Sequence, residues 1–282
     1  MLAPLLSFIR DRWHPLWRLR RFRLFREFQK LCDFTVYTRI PHTDLDVAIK
    51  FVRDANWIAT PAAVEGQIQR AFTLVLDLLR PAVFWDIGAN IGFYSWFVRR
   101  HSSIREVVMF EPDPVNFSLL QKTIRKNSIT NCRAVNAALS NRAGEALFLL
   151  DPASGAAGSL DEVSLQENEA SLHNAYQLEE TIQCRTVTID ALISDGTPAP
   201  DLLKIDVEGA EHLVLEGGQN CMTNHRPAMI IETGNDDLVR QFQEKSYVVF
   251  RIDQGNLLFV PIREGMNMAA IERAFPRYGQ EG

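Results

Sequence analysis

Four short apolar runs along the chain each end in an acidic residue. Ala82-Val-Phe-Trp precedes Asp86, Val107-Val-Met-Phe precedes Glu111, Leu202-Leu-Lys-Ile precedes Asp206, and Ala228-Met-Ile-Ile precedes Glu232. A turn-rich or helix-prone stretch follows each. Continuous apolar runs mark strands covered on both faces, so the pattern predicts an α/β fold with a doubly wound, mostly parallel sheet and helical crossovers. Ligands bind such sheets beyond the carboxyl ends of the strands, where the four carboxylates would stand together. Upstream, Phe34–Ile40 alternates like a strand, and Leu45–Val52 and Ala63–Leu79 read as helices, the second with Ile68, Phe72, Leu74, Val75 and Leu78 at apolar positions. Downstream, Tyr247-Val-Val-Phe and Leu257-Leu-Phe-Val flank Asp253-Gln-Gly-Asn and predict a C-terminal antiparallel hairpin closing the sheet edge. Residues 151–180 are polar and much longer than an ordinary connection of about 4–6 residues, which predicts a lid.

Charge divides the chain further. Lysine and arginine number 30 against 35 aspartates and glutamates, a net charge of −5 that argues against a general nucleic-acid binder. Residues 1–30, however, hold eight basic and two acidic residues, so the first thirty carry +6 and the remaining 252 carry −11. In that basic arm Leu24, Phe25, Phe28, Leu31 and Cys32 recur at helical spacing among arginines, predicting an amphipathic helix near residues 16–32. Three readings of the arm stand: packing on the main domain, peripheral docking on the anionic inner face of a membrane, or binding an acidic partner. Three parts are therefore expected: a basic extension over 1–32, a strand and helices packed on the core over 33–80, and the main domain over 81–282. The four cysteines, Cys32, Cys132, Cys184 and Cys221, form no C-x-x-C pair, and no run approaches the roughly 18–20 apolar residues of a membrane span. A cytoplasmic protein without a signal peptide is the expectation.

The chemistry concentrates at the strand ends. Asp86-Ile-Gly88-Ala-Asn90-Ile-Gly92 lies where a strand turns into a helix; its glycines permit unusual backbone angles and close approach to a ligand. The spacing is neither the dinucleotide fingerprint nor a phosphate loop. An acidic residue before the first glycine would repel a pyrophosphate but welcome an ammonium group, so a cationic or zwitterionic nucleoside is the better ligand. Glu111, at the next strand end, has the place and chemistry to accept both ribose hydroxyls. None of the six histidines lies in a motif.

Asp86-Ile-Gly-Ala-Asn-Ile-Gly, Phe110-Glu-Pro-Asp-Pro, Asn136-Ala-Ala-Leu-Ser and Lys204-Ile-Asp-Val-Glu-Gly-Ala-Glu, taken in order and spacing, resemble the FkbM-type S-adenosylmethionine-dependent methyltransferases. The resemblance implies a class I Rossmann-like methyltransferase that takes S-adenosyl-L-methionine as cofactor. It also implies O-methylation of a hydroxyl on a small-molecule, sugar or glycan acceptor, with no nucleic-acid partner. Carried over by position, Asp86, Gly88, Ala89, Asn90 and Gly92 hold the methionine part, Glu111 holds the ribose, and Asn136 and Ala137 border the adenine. Tyr94 and Asn116 lie within reach of the same ligand. Asp206, Glu208 and Glu232 are the catalytic carboxylates, as base or as groups that orient the acceptor. The same cluster would alternatively suit a divalent ion, though no metal is assigned, and Glu211 reads as a helix-capping charge. N-methylation, or a non-catalytic membrane-associated module with this fold, are the alternatives.

Overall fold

The computed structural model describes residues 31–40, 43–54, 66–150, 158–160, 180–264 and 268–279. The basic arm up to Lys30 and most of 151–180 lie outside them, and with them the amphipathic helix and the lid expected there. The described chain opens with β1 (Thr35–Arg39), β2 (Asp46–Lys50) and helix α1 (Gly66–Leu79). Then come β3 (Val83–Ile87), α2 (Phe93–Val98), β4 (Glu106–Phe110), α3 (Pro114–Lys126) and β5 (Cys132–Val135). Four strands follow, β6 (Ala138–Leu139), β7 (Gly144–Leu150), β8 (Ser159–Leu160) and β9 (Glu180–Val187), before α4 (Ile189–Ser194) and β10 (Leu202–Ile205). The last elements are α5 (Glu211–Glu216), α6 (Gln219–Asn224), β11 (Ala228–Glu232), α7 (Asp236–Glu244), β12 (Tyr247–Arg251), β13 (Asn256–Pro261) and α8 (Ala269–Ala274).

Seven strands form the central sheet in the order β12-β13-β11-β10-β3-β4-β5. The pairs from β11 to β5 are parallel, while β13 runs antiparallel to β11 and β12 antiparallel to β13. All four acid-terminated runs are central strands of this sheet. Alternate side chains feed opposite faces: Phe84, Met109, Leu202 and Ile230 join one core, and Trp85, Phe110, Leu203 and Ile231 the other. Burial on both sides is why these strands read as unbroken apolar runs. Helix α1 buries Ile68, Ala71, Phe72, Val75 and Leu76 against the first core, and α7 buries Leu238, Val239 and Phe242 against the second.

Two expectations change. Leu45–Val52 is not a helix: β2 pairs antiparallel with β1, Val47 opposite Thr38 and Ile49 opposite Val36. Val47, Ala48 and Ile49 are all fully buried, and a short run apolar on both sides does not reveal its period. The hairpin is pinned to α3, where the Ala48 N–H donates to Thr123 Oγ1 at 2.9 Å and the Asp46 N–H to Asn127 Oδ1 at 3.1 Å. Second, the polar stretch after Leu150 springs from an unforeseen four-stranded sheet, β6-β9-β7-β8. Within it β7 and β9 pair antiparallel from Gly144↔Thr186 to Leu150↔Glu180.

Candidate active site

Three turns meet at the carboxyl ends of β3, β4 and β10. In the first, Gly88 (φ 78°), Asn90 (φ 53°) and Gly92 (φ 85°) all take left-handed backbone angles, open to glycine and tolerated by asparagine. The Gly88 and Ala89 N–H groups both donate to the Phe110 carbonyl, at 3.1 and 3.0 Å, stitching this turn to β4. On its other side the Asp206 N–H donates to the Ile87 carbonyl at 3.1 Å. A Cβ on Gly88 would stand 1.8 Å from the Asp206 carbonyl oxygen, so no side chain fits where the turns touch.

Glu111 is the acid of the second turn, 4 % exposed. Its Oε2 accepts from the Asn90 N–H at 2.7 Å and its Oε1 from the Asp113 N–H at 2.9 Å. Each oxygen keeps acceptor capacity for a further donor. Burial pushes the Glu111 carboxyl up to about 8, against the opposing pull of the two N–H bonds and the Arg53 charge. Asn136 Nδ2 braces the turn from outside, donating to the carbonyls of Glu111 (2.8 Å) and Pro112 (3.0 Å).

The third turn carries Asp206. Its Oδ2 lies 2.6 Å from Lys204 Nζ, a nearly fully buried ammonium set over the Tyr94 ring at 4.9 Å. Burial alone would push Asp206 up; Lys204 and a hydrogen bond with Glu232 outweigh it and hold the group below the usual carboxylate range. Desolvation, then repulsion from Asp206 and from Glu208, pushes Glu232 up to about 8, so Glu232 keeps the proton the two carboxylates share. Glu208 (φ 49°) and Gly209 (φ 92°) carry the chain into α5. Glu211 Oε1 accepts from the Gly209 N–H at 3.0 Å and closes that turn.

A cleft runs between the turns. Gly88, Asn90, Glu111, Asp113, Ala137 and Asp206 line it. An apolar wall comes from Phe148 and Leu160 of the second sheet with Val207 and Ala210. Asp86 is not in the lining. It is 1 % exposed, its Oδ2 accepts from Ser95 Oγ at 2.6 Å, and burial, partly offset by Lys204, pushes its pKa up. Among the described residues, Asp86 Oδ1 and the Tyr94 hydroxyl are buried without a hydrogen-bond partner. Asn136 likewise stands outside the lining, Asn116 is engaged by Arg53 at 2.6 Å, and no histidine among the described residues faces the cleft. No group of three or more His, Cys, Asp and Glu side chains among those residues is arranged to hold a metal ion. No helix among them is long and apolar enough to cross a membrane.

Sequence reasoning assigned no role to Lys204, although one charged residue inside a buried strand is a visible signal. It had no means of finding Arg53, Phe148 or Leu160, which tertiary contacts alone bring to the site.

The arrangement of a glycine turn, a buried carboxylate and the β10 turn coincides with a match to the Methyltransferase FkbM domain over residues 86–249. The chain belongs to the FkbM methyltransferase family. Curated relatives in this family include the hexuronic acid methyltransferase AglP of Haloferax volcanii, 30 % identical over 141 residues, covering 50 % of this chain and 51 % of that protein. The 31-O-demethyl-FK506 methyltransferase FkbM of Streptomyces tacrolimicus is 29 % identical over 162 residues, 51 % of this chain and 62 % of its own. The 2-O-methyltransferase NoeI of Sinorhizobium fredii is 26 % identical over 167 residues, 57 % and 66 % of the two chains. The alignments thus span about half to two thirds of these relatives. Among solved structures, a methyltransferase FkbM from Methylobacillus flagellatus superposes with a TM-score of 0.45 at 20 % identity, over 64 % of this chain and 44 % of that one.

Proposed function

We propose that this FkbM-family protein is an S-adenosyl-L-methionine-dependent O-methyltransferase whose acceptor is a hydroxyl of a sugar, glycan or natural product. One observation carries the reading: a single cleft is lined by Gly88, Asn90 and Glu111 on one side and by Asp206 on the other. The cofactor fits the residues present. Glu111 turns a carboxylate with spare acceptor capacity toward the ribose position, Ala137 borders the adenine position, and Asp86 Oδ1 is a buried acceptor still lacking a donor. When bound, the cofactor supplies an electrophilic methyl on a sulfonium. Asp206, held ionised by Lys204, accepts the hydroxyl hydrogen of the acceptor and orients its oxygen for in-line attack. Glu232, protonated at neutral pH, donates to Asp206 and keeps the pair in one geometry. The apolar wall of Phe148, Leu160 and Ala210 keeps water from competing with the acceptor. The names of the relatives, a hexuronic acid methyltransferase and a 2-O-methyltransferase among them, support an oxygen acceptor.

Isothermal titration with S-adenosylmethionine and turnover on a panel of uronic acids, glycans and polyketide alcohols test this. Asp206→Asn is expected to lower kcat by about 10²–10⁴-fold with little change in cofactor affinity. Glu111→Ala is expected to weaken the cofactor about tenfold or more through two lost hydrogen bonds. A wild-type protein that binds no cofactor would sink the reading.

A further inference from the structure

A second charged cluster adjoins the ribose-side turn, and its central residue lies outside the matched domain. Arg53 follows β2 and is 8 % exposed. Its guanidinium forks onto Asp54, Nε to Oδ1 at 2.8 Å and Nη2 to Oδ2 at 3.2 Å. The same Nη2 donates to Asn116 Oδ1 at 2.6 Å, and Nη1 stands 3.8 Å from Asp113 Oδ2. All three partners are buried. Asp54 Oδ2 also accepts the Lys50 N–H at 2.7 Å, tying the fork to the end of the hairpin. Asp113, in turn, caps α3 through the Val115 N–H at 2.7 Å and donates its own N–H to Glu111. The contacts run step by step from the hairpin through Arg53 and Asp113 to the acid that lines the cleft.

Burying an arginine with its partner carboxylates is costly, and apolar side chains of the same volume often hold a fold as well or better. A cluster of this kind beside a ligand-binding acid therefore points past packing. The charged groups facing Arg53 are Asp54, Asp113 and the more distant Asp33; those facing Glu111 are Asp113 and Arg53. Within this set Arg53 is the cation that offsets the carboxylates around the turn.

We infer that Arg53 is a positioning residue of the cofactor site: from the N-terminal hairpin it fixes the Glu111–Asp113 turn and supplies the positive charge that favours the ionised form of Glu111 toward the ribose hydroxyls. The inference rests on the cofactor reading given above. It makes the hairpin part of the functional site, where residues 33–80 were expected only to pack. Burial raises Glu111, and the Arg53 charge opposes that rise. Removing the charge moves the titration of Glu111 higher, so at neutral pH less of the carboxylate is free to accept from a ribose.

Titration calorimetry of the full chain with S-adenosylmethionine, from about pH 6 to about pH 9.5, tests this alongside thermal melts. Wild-type affinity is expected to rise with pH with a midpoint near the Glu111 value of about 8. Arg53→Met combined with Asp54→Asn removes the fork as a unit; it is expected to bind about tenfold more weakly at pH 7, with its midpoint about one unit higher and the deficit closing at the alkaline end. Arg53→Lys keeps the charge but not the fork, and is expected to bind about threefold more weakly with the wild-type midpoint. Wild-type-like affinity in Arg53→Lys, or in the double variant an unmoved midpoint or a loss equal at every pH, would overturn the role of Arg53 while leaving the cofactor reading intact. The Arg53→Lys comparison decides the matter even if the double variant does not fold. No binding by the wild type at any pH would overturn the cofactor reading itself and this inference with it.

Discussion

Glu111 and Asp206 each follow a parallel strand and face the same cleft, yet they are held by different means. Glu111 is gripped by main-chain donors, the N–H groups of Asn90 and Asp113, and is pushed up to about 8 by burial. Asp206 is gripped by a side chain, the buried ammonium of Lys204, and is held low by it. Main-chain donors keep their geometry at any pH and suit a group that must present fixed acceptors to a ligand. A lysine partner instead sets charge, and suits a group that must stay ionised to take hydrogen from a hydroxyl. The two halves of the cleft thus differ in what grips the acid, main-chain donors on one side and a side-chain cation on the other.

The strongest way to break this division is at the point where its halves touch. Gly88→Ala would put a Cβ into the Asp206 carbonyl at a left-handed φ, at an expected cost of about 2–5 kcal/mol from strain and overpacking together. Both halves should fail at once: thermal unfolding should shift down and cofactor binding should be lost, whereas an unchanged melt would mean that the turns part easily.

Lys204→Met sharpens the contrast from the side of Asp206. Because Lys204 holds Asp206 low, its removal raises Asp206, and the ionised fraction falls at any given acidic pH. The acid limb of the kcat–pH profile should move to higher pH and kcat near neutrality should drop by about tenfold or more, with cofactor affinity much less affected. An unmoved limb would show that Asp206 does not depend on Lys204.

The smallest change tests the geometric half. Asn136→Ala removes two partly exposed hydrogen bonds that brace the carbonyls of Glu111 and Pro112. Loss of about 1 kcal/mol should weaken cofactor binding about fivefold without altering kcat, measured by titration and steady-state kinetics. A fall in kcat with affinity intact would reverse the assignment of the two halves.

Much of this site was legible in the one-dimensional pattern. The strand-end acids, the glycine turn and the Lys204–Glu211 string stand in adjacent turns because each ends a strand buried on both faces, and such strands announce themselves as apolar runs. Asp86 shows the limit of that reading. Its position at a strand end suggested a ligand contact; in the fold its Oδ2 is taken by Ser95 and the residue stands outside the cleft lining, which leaves only the donorless Oδ1 for such a role. Strand ends locate a residue, while packing around it settles which way the side chain turns. The strand at Asp46–Lys50 escaped detection because three adjacent buried residues carry no period. Its partner, β1, is legible from its alternation, and the pairing between the two is what shows Asp46–Lys50 to be a strand.

What the sequence by itself determined is the order of the parallel-sheet elements, the family and the row of acids at the strand ends, since these follow from local patterning and short motifs. Tertiary structure alone decided that Lys204 bridges to Asp206, that Phe148 and Leu160 of a second sheet wall the cleft, and that Arg53 reaches Asp113 from 60 residues upstream. The physical reason is common to all three. Charge compensation and enclosure depend on which surfaces meet in space, and contacts between residues distant along the chain leave no period or spacing in it.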